Sequence, residues 1–166
     1  MPHTPIRRLA GLIATLAALA TLAALGALAA PFASAAAGPA HAAAAGPARV
    51  SLHKSSLGMI LVNGRGRTLY AFTRDGRNKD HCMTISGCTS VWPMLTSHGK
   101  PHAGPGVKGS MLSTIKLPGG SHQVTYNGHP LYTYSADSSA AETDYVGANQ
   151  FGGTWMAVNG SGKTVK

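Results

Sequence analysis

Beyond Arg49 the apolar residues come in short runs, each closed by a strong turn signal. Met59-Ile60-Leu61-Val62 leads into Asn63-Gly64-Arg65-Gly66, and Arg67-Thr68-Leu69-Tyr70-Ala71-Phe72-Thr73 follows. An Asn-Gly pair between two such runs predicts a β-hairpin, because both turn residues must tolerate positive φ. Ser113-Thr114-Ile115-Lys116-Leu117 then meets Pro118-Gly119-Gly120. Gln123-Val124-Thr125-Tyr126 reaches Asn127-Gly128-His129, followed by Pro130-Leu131-Tyr132-Thr133-Tyr134, and Trp155-Met156-Ala157-Val158 makes a last short run. No stretch after residue 50 sustains a helical period for three turns. The pattern predicts a single small all-β domain of antiparallel hairpins, with helix confined to about a turn near Cys88–Trp92.

The two hairpin segments repeat each other. Tyr70-Ala-Phe-Thr-Arg-Asp75 and Tyr132-Thr-Tyr-Ser-Ala-Asp137 share the order Tyr-x-aromatic-x-x-Asp, offset by 132 − 70 = 137 − 75 = 62 residues. Each is preceded by an Asn-Gly turn and followed by a tryptophan, Trp92 (92 − 75 = 17 residues on) and Trp155 (155 − 137 = 18 residues on). Turn, aromatic pair, acid and tryptophan at one period make a two-fold internal repeat. Repeat one covers about 57–95 and repeat two about 120–158 of a β domain over 50–166.

The doubled motif, the Cys-containing insert ending in Trp92-Pro93, and Gln150-Phe-Gly-Gly-Thr-Trp155 resemble the bacterial secreted-repeat lipoprotein family of unknown function, whose members carry tandem Yx(F/W/Y)xxD repeats. The resemblance spans Leu57 to Val158 and implies export and a β-rich repeat, with no activity attached. Two departures stand out. Met94 follows Trp92-Pro93 where many members have a second proline, and no cysteine precedes Cys82, so an N-terminal lipid anchor has no acceptor.

The beginning of the chain has a different character. Arg7 and Arg8 precede an uncharged apolar run over 9–30, and Ala-x-Ala sites follow at 33–35, 35–37 and 40–42. This order predicts a secretory signal peptide over 1–37, cleaved somewhere in 35–42, then an Ala/Gly/Pro spacer over 38–49. A retained membrane-spanning anchor is the competing reading. Alanine, however, makes weak hydrocarbon, and the small-residue sites suit a peptidase, so no stable membrane anchor is expected after cleavage.

Composition changes the picture in two ways. Residues 49–166 hold only 21 Leu, Ile, Val or Phe against 17 glycines, enough for one core but not two. The formal charge is +9, and loss of Arg7 and Arg8 leaves 12 Lys and Arg against 5 acids, or 12 − 5 = +7. An anionic cell-wall or surface polymer is therefore an expected partner. Specific nucleic-acid binding is not expected, because the cations are scattered and no basic helix, zinc-finger spacing or RNP signature is present. The sequence does not set an oligomeric state.

Candidate chemistry is sparse. Tyr70 with Phe72, and Tyr132 with Tyr134, share strand parity. They read as core aromatics in a sheet short of aliphatics, with an exposed platform for a sugar as the alternative. Asp75 and Asp137 read as acceptors for turn amides or tyrosine hydroxyls. As a glycosidase pair they would need asymmetric surroundings, which identical repeats do not offer. Cys82 and Cys88, the only cysteines, read as a short disulfide. The alternative is a copper or redox site drawn from His81, Cys82, Met83, Met94, His98 and His102. No catalytic residue and no cofactor is assigned. The expected function is an exported, non-enzymatic β-repeat module of the cell envelope or extracellular space that binds an anionic or carbohydrate component. A copper-handling accessory is the alternative.

Overall fold

A computed structural model describes residues 46–166, so the predicted signal segment and most of the spacer lie outside the described residues. Among these described residues ten strands appear in order: β1 (Arg49–Ser55), β2 (Gly58–Asn63), β3 (Tyr70–Phe72), β4 (His102–Ala103), β5 (Leu112–Lys116), β6 (His122–Tyr126), β7 (His129–Pro130), β8 (Asn149–Gln150), β9 (Gly153–Val158) and β10 (Thr164–Val165). Among the described residues the one α-helix, α1, is the single turn Cys88–Val91, and three short 3-10 turns accompany it. Pairing is antiparallel throughout except between β1 and β4. Among the described residues no helix is long and apolar enough to cross a membrane.

The strands form three small sheets, ordered β2-β1-β4, β5-β6-β7, and β10-β9-β3 with β8 also on β9. The first two are related by the repeat: β1 pairs with β2 as β5 pairs with β6. β1 carries no clear apolar signal. Only Val50 and Leu52 in Arg-Val-Ser-Leu-His-Lys-Ser are large and apolar, and the strand adjoins the spacer composition, so the hydrophobic pattern alone passes over it.

The run 67–73 does not form the single hairpin arm that the pattern predicts. It pairs with β2 only at its start, where Val62 bridges Thr68 and the Leu69 amide donates to Leu61 O at 2.9 Å. It then leaves β2 and continues as β3 against β9, placing Tyr70 opposite Ala157 and Phe72 opposite Trp155. All three β3 residues are buried, so this segment is covered on both faces and cannot remain an edge of the first hairpin. The segment 130–135 behaves the same way. Leu131 N donates to Val124 O at 2.9 Å, and the chain then crosses to residues 91–95 through Thr133 N to Pro93 O at 2.9 Å and Ser135 N to Val91 O at 3.0 Å.

The crossing makes the fold intertwined. β3, from repeat one, lies on the tryptophan strand of repeat two, and residues 132–134, from repeat two, lie on the tryptophan segment of repeat one. The bridges Ile60 to Asn159 and Thr96 to Gln123 repeat the relation, with 123 − 60 = 159 − 96 = 63. At the centre Tyr70 and Tyr132 form a reciprocal backbone pair, with N–H to O distances of 2.9 and 3.0 Å. An aliphatic cluster around Val50, Leu61, Leu69, Val124, Leu131 and Val158 fills one side of the interior. An aromatic cluster around Tyr70, Phe72, Trp92, Tyr132 and Trp155 fills the other.

Candidate functional site

The motif residues of both repeats meet in the aromatic cluster. Trp92 and Trp155 stack with ring centroids 4.0 Å apart and an interplanar angle of 3°. Phe72 stacks on the outer face of Trp155 at 4.3 Å, and Tyr134 tilts against Trp92 at 4.5 Å. Tyr70 and Tyr132 meet the indoles edge-on at 5.1 Å, each against the tryptophan of its own repeat. Such geometry satisfies the quadrupoles of the rings and adds to the burial of their large area. Tyr70, Tyr132, Trp92 and Trp155 are fully buried, Phe72 nearly so and Tyr134 half-buried, which leaves no exposed aromatic platform at the motif.

Both tyrosine hydroxyls cross to the opposite repeat. Tyr132 donates to Asp75 Oδ2 at 2.8 Å, and Tyr70 donates to Asp137 Oδ1 at 3.3 Å. Asp75 Oδ1 also accepts from the His81 amide at 2.8 Å, so the acid holds the start of the Cys loop as well as the other repeat. Asp137 Oδ2 is buried without a partner. Burial pushes each carboxyl up to about 6, and neighbouring Glu142 adds to the effect at Asp137. Burial and the facing carboxylates raise both tyrosines far above their ordinary range, so the hydroxyls remain donors. Asp75 borders a small cavity of about 180 Å³ with Arg77 and His129, but both of its oxygens are engaged. The arrangement has the character of a cross-brace rather than of a water-activating pair.

Cys82 and Cys88 are joined in a disulfide with Cα atoms 5.5 Å apart, and both are buried against the aromatic cluster. Neither sulfur is a free thiolate. His81 is half-buried with its Nδ1 unpartnered, Met83 is exposed, Met94 packs on the aromatic cluster, and His98 and His102 are exposed beyond it. Among the described residues no group of three or more His, Cys, Asp or Glu is placed to hold a metal ion.

Three positions gain meaning only from the fold. Gln150 Oε1 accepts from Trp92 Nε1 at 2.8 Å, so the Gln-Phe-Gly-Gly-Thr-Trp segment of repeat two caps the tryptophan of repeat one. Gly153 in that segment lies so close to Phe72 that a Cβ there would come within 2.6 Å of the ring. Glu142 accepts from the Ser138 and Ser139 amides at 2.9 and 3.0 Å, closing the loop after Asp137 on itself. The Gln-Phe-Gly-Gly spacing before Trp155 carried the signal for the first two, without saying which partner they serve.

A family model described as a secreted repeat of unknown function matches residues 51–96 and 113–159. The chain belongs to this family. No curated protein and no solved structure matches it. As a secreted repeat the protein is exported, to the extracellular space or the envelope. The two matched segments take in nearly all of β1 and β5 as well as the Tyr-x4-Asp motifs, so the unit of this secreted repeat is a two-stranded hairpin, the crossing strand and the tryptophan segment.

Proposed function

We propose that the protein is a non-enzymatic binding module of the cell envelope or extracellular space, holding an anionic or carbohydrate polymer on its outer surface. The observation that carries this reading is the segregation of charge. Residues 46–166 contain twelve Lys and Arg and five Asp and Glu, and eleven of the twelve cations are exposed, Arg67 being half-buried. Three of the five acids face the other way. Asp80 and Asp137 are buried and Asp75 is half-buried in the cross-brace, which leaves Asp144 and the loop-bound carboxylate of Glu142 at the surface. The surface is thus more positive than the net charge conveys, and a polyanion meets little repulsion from any side.

The motif supports the same reading by what it leaves over. Its aromatics and acids are occupied in the core, so recognition falls to the loops and to the cations they carry. Retention of the purified protein on isolated cell wall tests the proposal. Binding at low ionic strength that falls steeply as salt shortens the Debye length from about 30 Å at 0.01 M to about 8 Å at 0.15 M is the expected result. Absence of any salt-sensitive retention would overturn it.

A further inference from the structure

The intertwined halves are alike in their strands but not in what lies between them. In one half, an open cavity of about 440 Å³ is lined by Arg49, Arg65, Met94, Leu95, Thr96 and Thr133, together with the backbone at 46–48 and 63–64. That volume lies within the range of ordinary small-ligand sites, about 300–1,000 Å³. The repeat offset converts this lining into a second place, at the Asn127-Gly128 turn beside residues 157–159. There the chain closes the space with its own backbone. Tyr126 OH donates to Gly160 O at 2.9 Å and Asn127 Nδ2 to Gly162 O at 3.2 Å. Gly162 packs so tightly on Asn127 that a Cβ would come within 2.4 Å of it. After Thr96 the corresponding chain departs instead, with the Ser97 amide donating to His122 O at 2.9 Å. Among the described residues, the position filled by a turn in one half is therefore open in the other, and two guanidinium-bearing residues stand around it.

From this asymmetry we infer that the cavity between Arg49, Arg65 and Thr96 is a binding site for the anionic group of a hydroxyl-rich envelope polymer. The chemistry of the lining matches that class. Guanidinium forks take a carboxylate or phosphate through paired N–H donors. The Thr96 hydroxyl suits sugar or polyol hydroxyls, the Thr133 hydroxyl donates to Pro93 O at 3.4 Å and keeps its acceptor capacity, and half-buried Met94 and Leu95 complete the lining. Arg49 is fixed by β1 and Arg65 by the turn in which the Arg65 amide donates to Asn63 Oδ1 at 2.9 Å, so both backbones are held by structure rather than by a loose loop. Gly64 lies beside Arg49, where a Cβ would come within 3.4 Å of its Cβ, which brings the two arginine-bearing segments together.

This inference deepens the proposed function and rests on it, yet the two fail separately. The test titrates the full chain with an oligouronate, a glycerol-phosphate oligomer and a neutral oligosaccharide of matched length, using calorimetry. Saturable binding of either anionic probe is expected, weakened about tenfold by Arg49→Gln or Arg65→Gln, as for loss of a charged hydrogen-bonding group. Which anionic probe binds identifies the source of the anion. Arg49→Lys and Arg65→Lys retain charge without the fork and should still weaken binding. The control, Lys54→Gln with Lys163→Gln, removes two exposed charges elsewhere and should leave the titration unchanged. Equal loss in the control and the arginine variants, or no binding of either anion, overturns the site. Wall retention that survives in the arginine variants would overturn the site while sparing the broader reading. Probe binding without wall retention would do the reverse.

Discussion

The Tyr132 hydroxyl donates to Asp75 Oδ2 at 2.8 Å although 57 residues separate them in sequence, and Tyr70 reaches Asp137 across 67. Each repeat supplies the donor for one brace and the acceptor for the other. A double-mutant cycle reads this directly. Tyr132→Phe with Asp75→Asn should show a coupling of about 1–2 kcal/mol in denaturant unfolding, in the range for contacting, hydrogen-bonded residues. The same-repeat combination of Tyr132→Phe with Asp137→Asn should be additive within about 0.5 kcal/mol. Coupling within a repeat rather than between repeats would contradict the crossing.

Acidification should stabilise the fold over a defined window. Asp75 and Asp137 both have folded-state values raised to about 6 from an ordinary 3.8. The folded chain therefore binds protons more readily than the unfolded chain between those values, and their contribution to stability is lost as pH rises through about 6. The thermal midpoint should rise between pH 7 and pH 5, and the rise should shrink in the Asp75→Asn, Asp137→Asn double variant. His129 acts in the opposite sense, because burial and then Arg77 hold its imidazole below the usual range. The difference between wild type and double variant isolates the carboxylates. A midpoint that falls equally in both proteins on acidification would refute the assignment.

The stacked indoles should be visible spectroscopically. Trp92 and Trp155 lie face to face at 4.0 Å and are the only tryptophans, so coupled transitions should give a bisignate circular-dichroism band. Trp92→Phe and Trp155→Phe should each abolish it. Truncation to alanine at either position should cost about 3–5 kcal/mol, as for other buried large aromatics. A bisignate band that persists in either single phenylalanine variant would show that it arises elsewhere.

Reduction of Cys82–Cys88 should destabilise without unfolding. The loop closed is short, with a sequence separation of 6, and loop-entropy arguments give about 2 kcal/mol. Urea unfolding with and without reductant measures the difference, and Cys82→Ser with Cys88→Ser should reproduce it. Complete unfolding on reduction would mean that the bridge carries far more of the fold than the aromatic cluster beside it.

Apart from β1 and the two-residue strands, the main elements were legible in the sequence, but their partners were not. Both Asn-Gly pairs lie at turns, but only Asn127-Gly128 takes positive φ at both residues, the first turn placing it on Gly66 instead; Tyr70, Phe72, Tyr132 and Tyr134 share faces as strand parity requires. Yet a repeat makes its own halves interchangeable on paper. Tyr132 has an identical acceptor type five residues downstream in Asp137 and 57 residues upstream in Asp75, and nothing local distinguishes them. The crossing is decided by burial of β3 on both faces, a tertiary demand that short-range pattern does not encode. The arginine-lined cavity was hidden for a related reason. Arg65 counted only as one of the scattered cations and Arg49 only as the boundary of the spacer, while the opening between them comes from the chain leaving after Thr96.

The reciprocal pairing of Tyr70 with Tyr132 also means that neither repeat is complete alone. A polypeptide with one hairpin, one crossing strand and one tryptophan segment would leave its tyrosine without an acceptor and its indole without a stacking face. Two such polypeptides together would supply each other's missing half. The present chain has the form of an exchanged homodimer joined end to end, so its two halves need not present identical surfaces. The cavity beside Arg65 is open, whereas the corresponding place is closed by the turn that packs on Asn127.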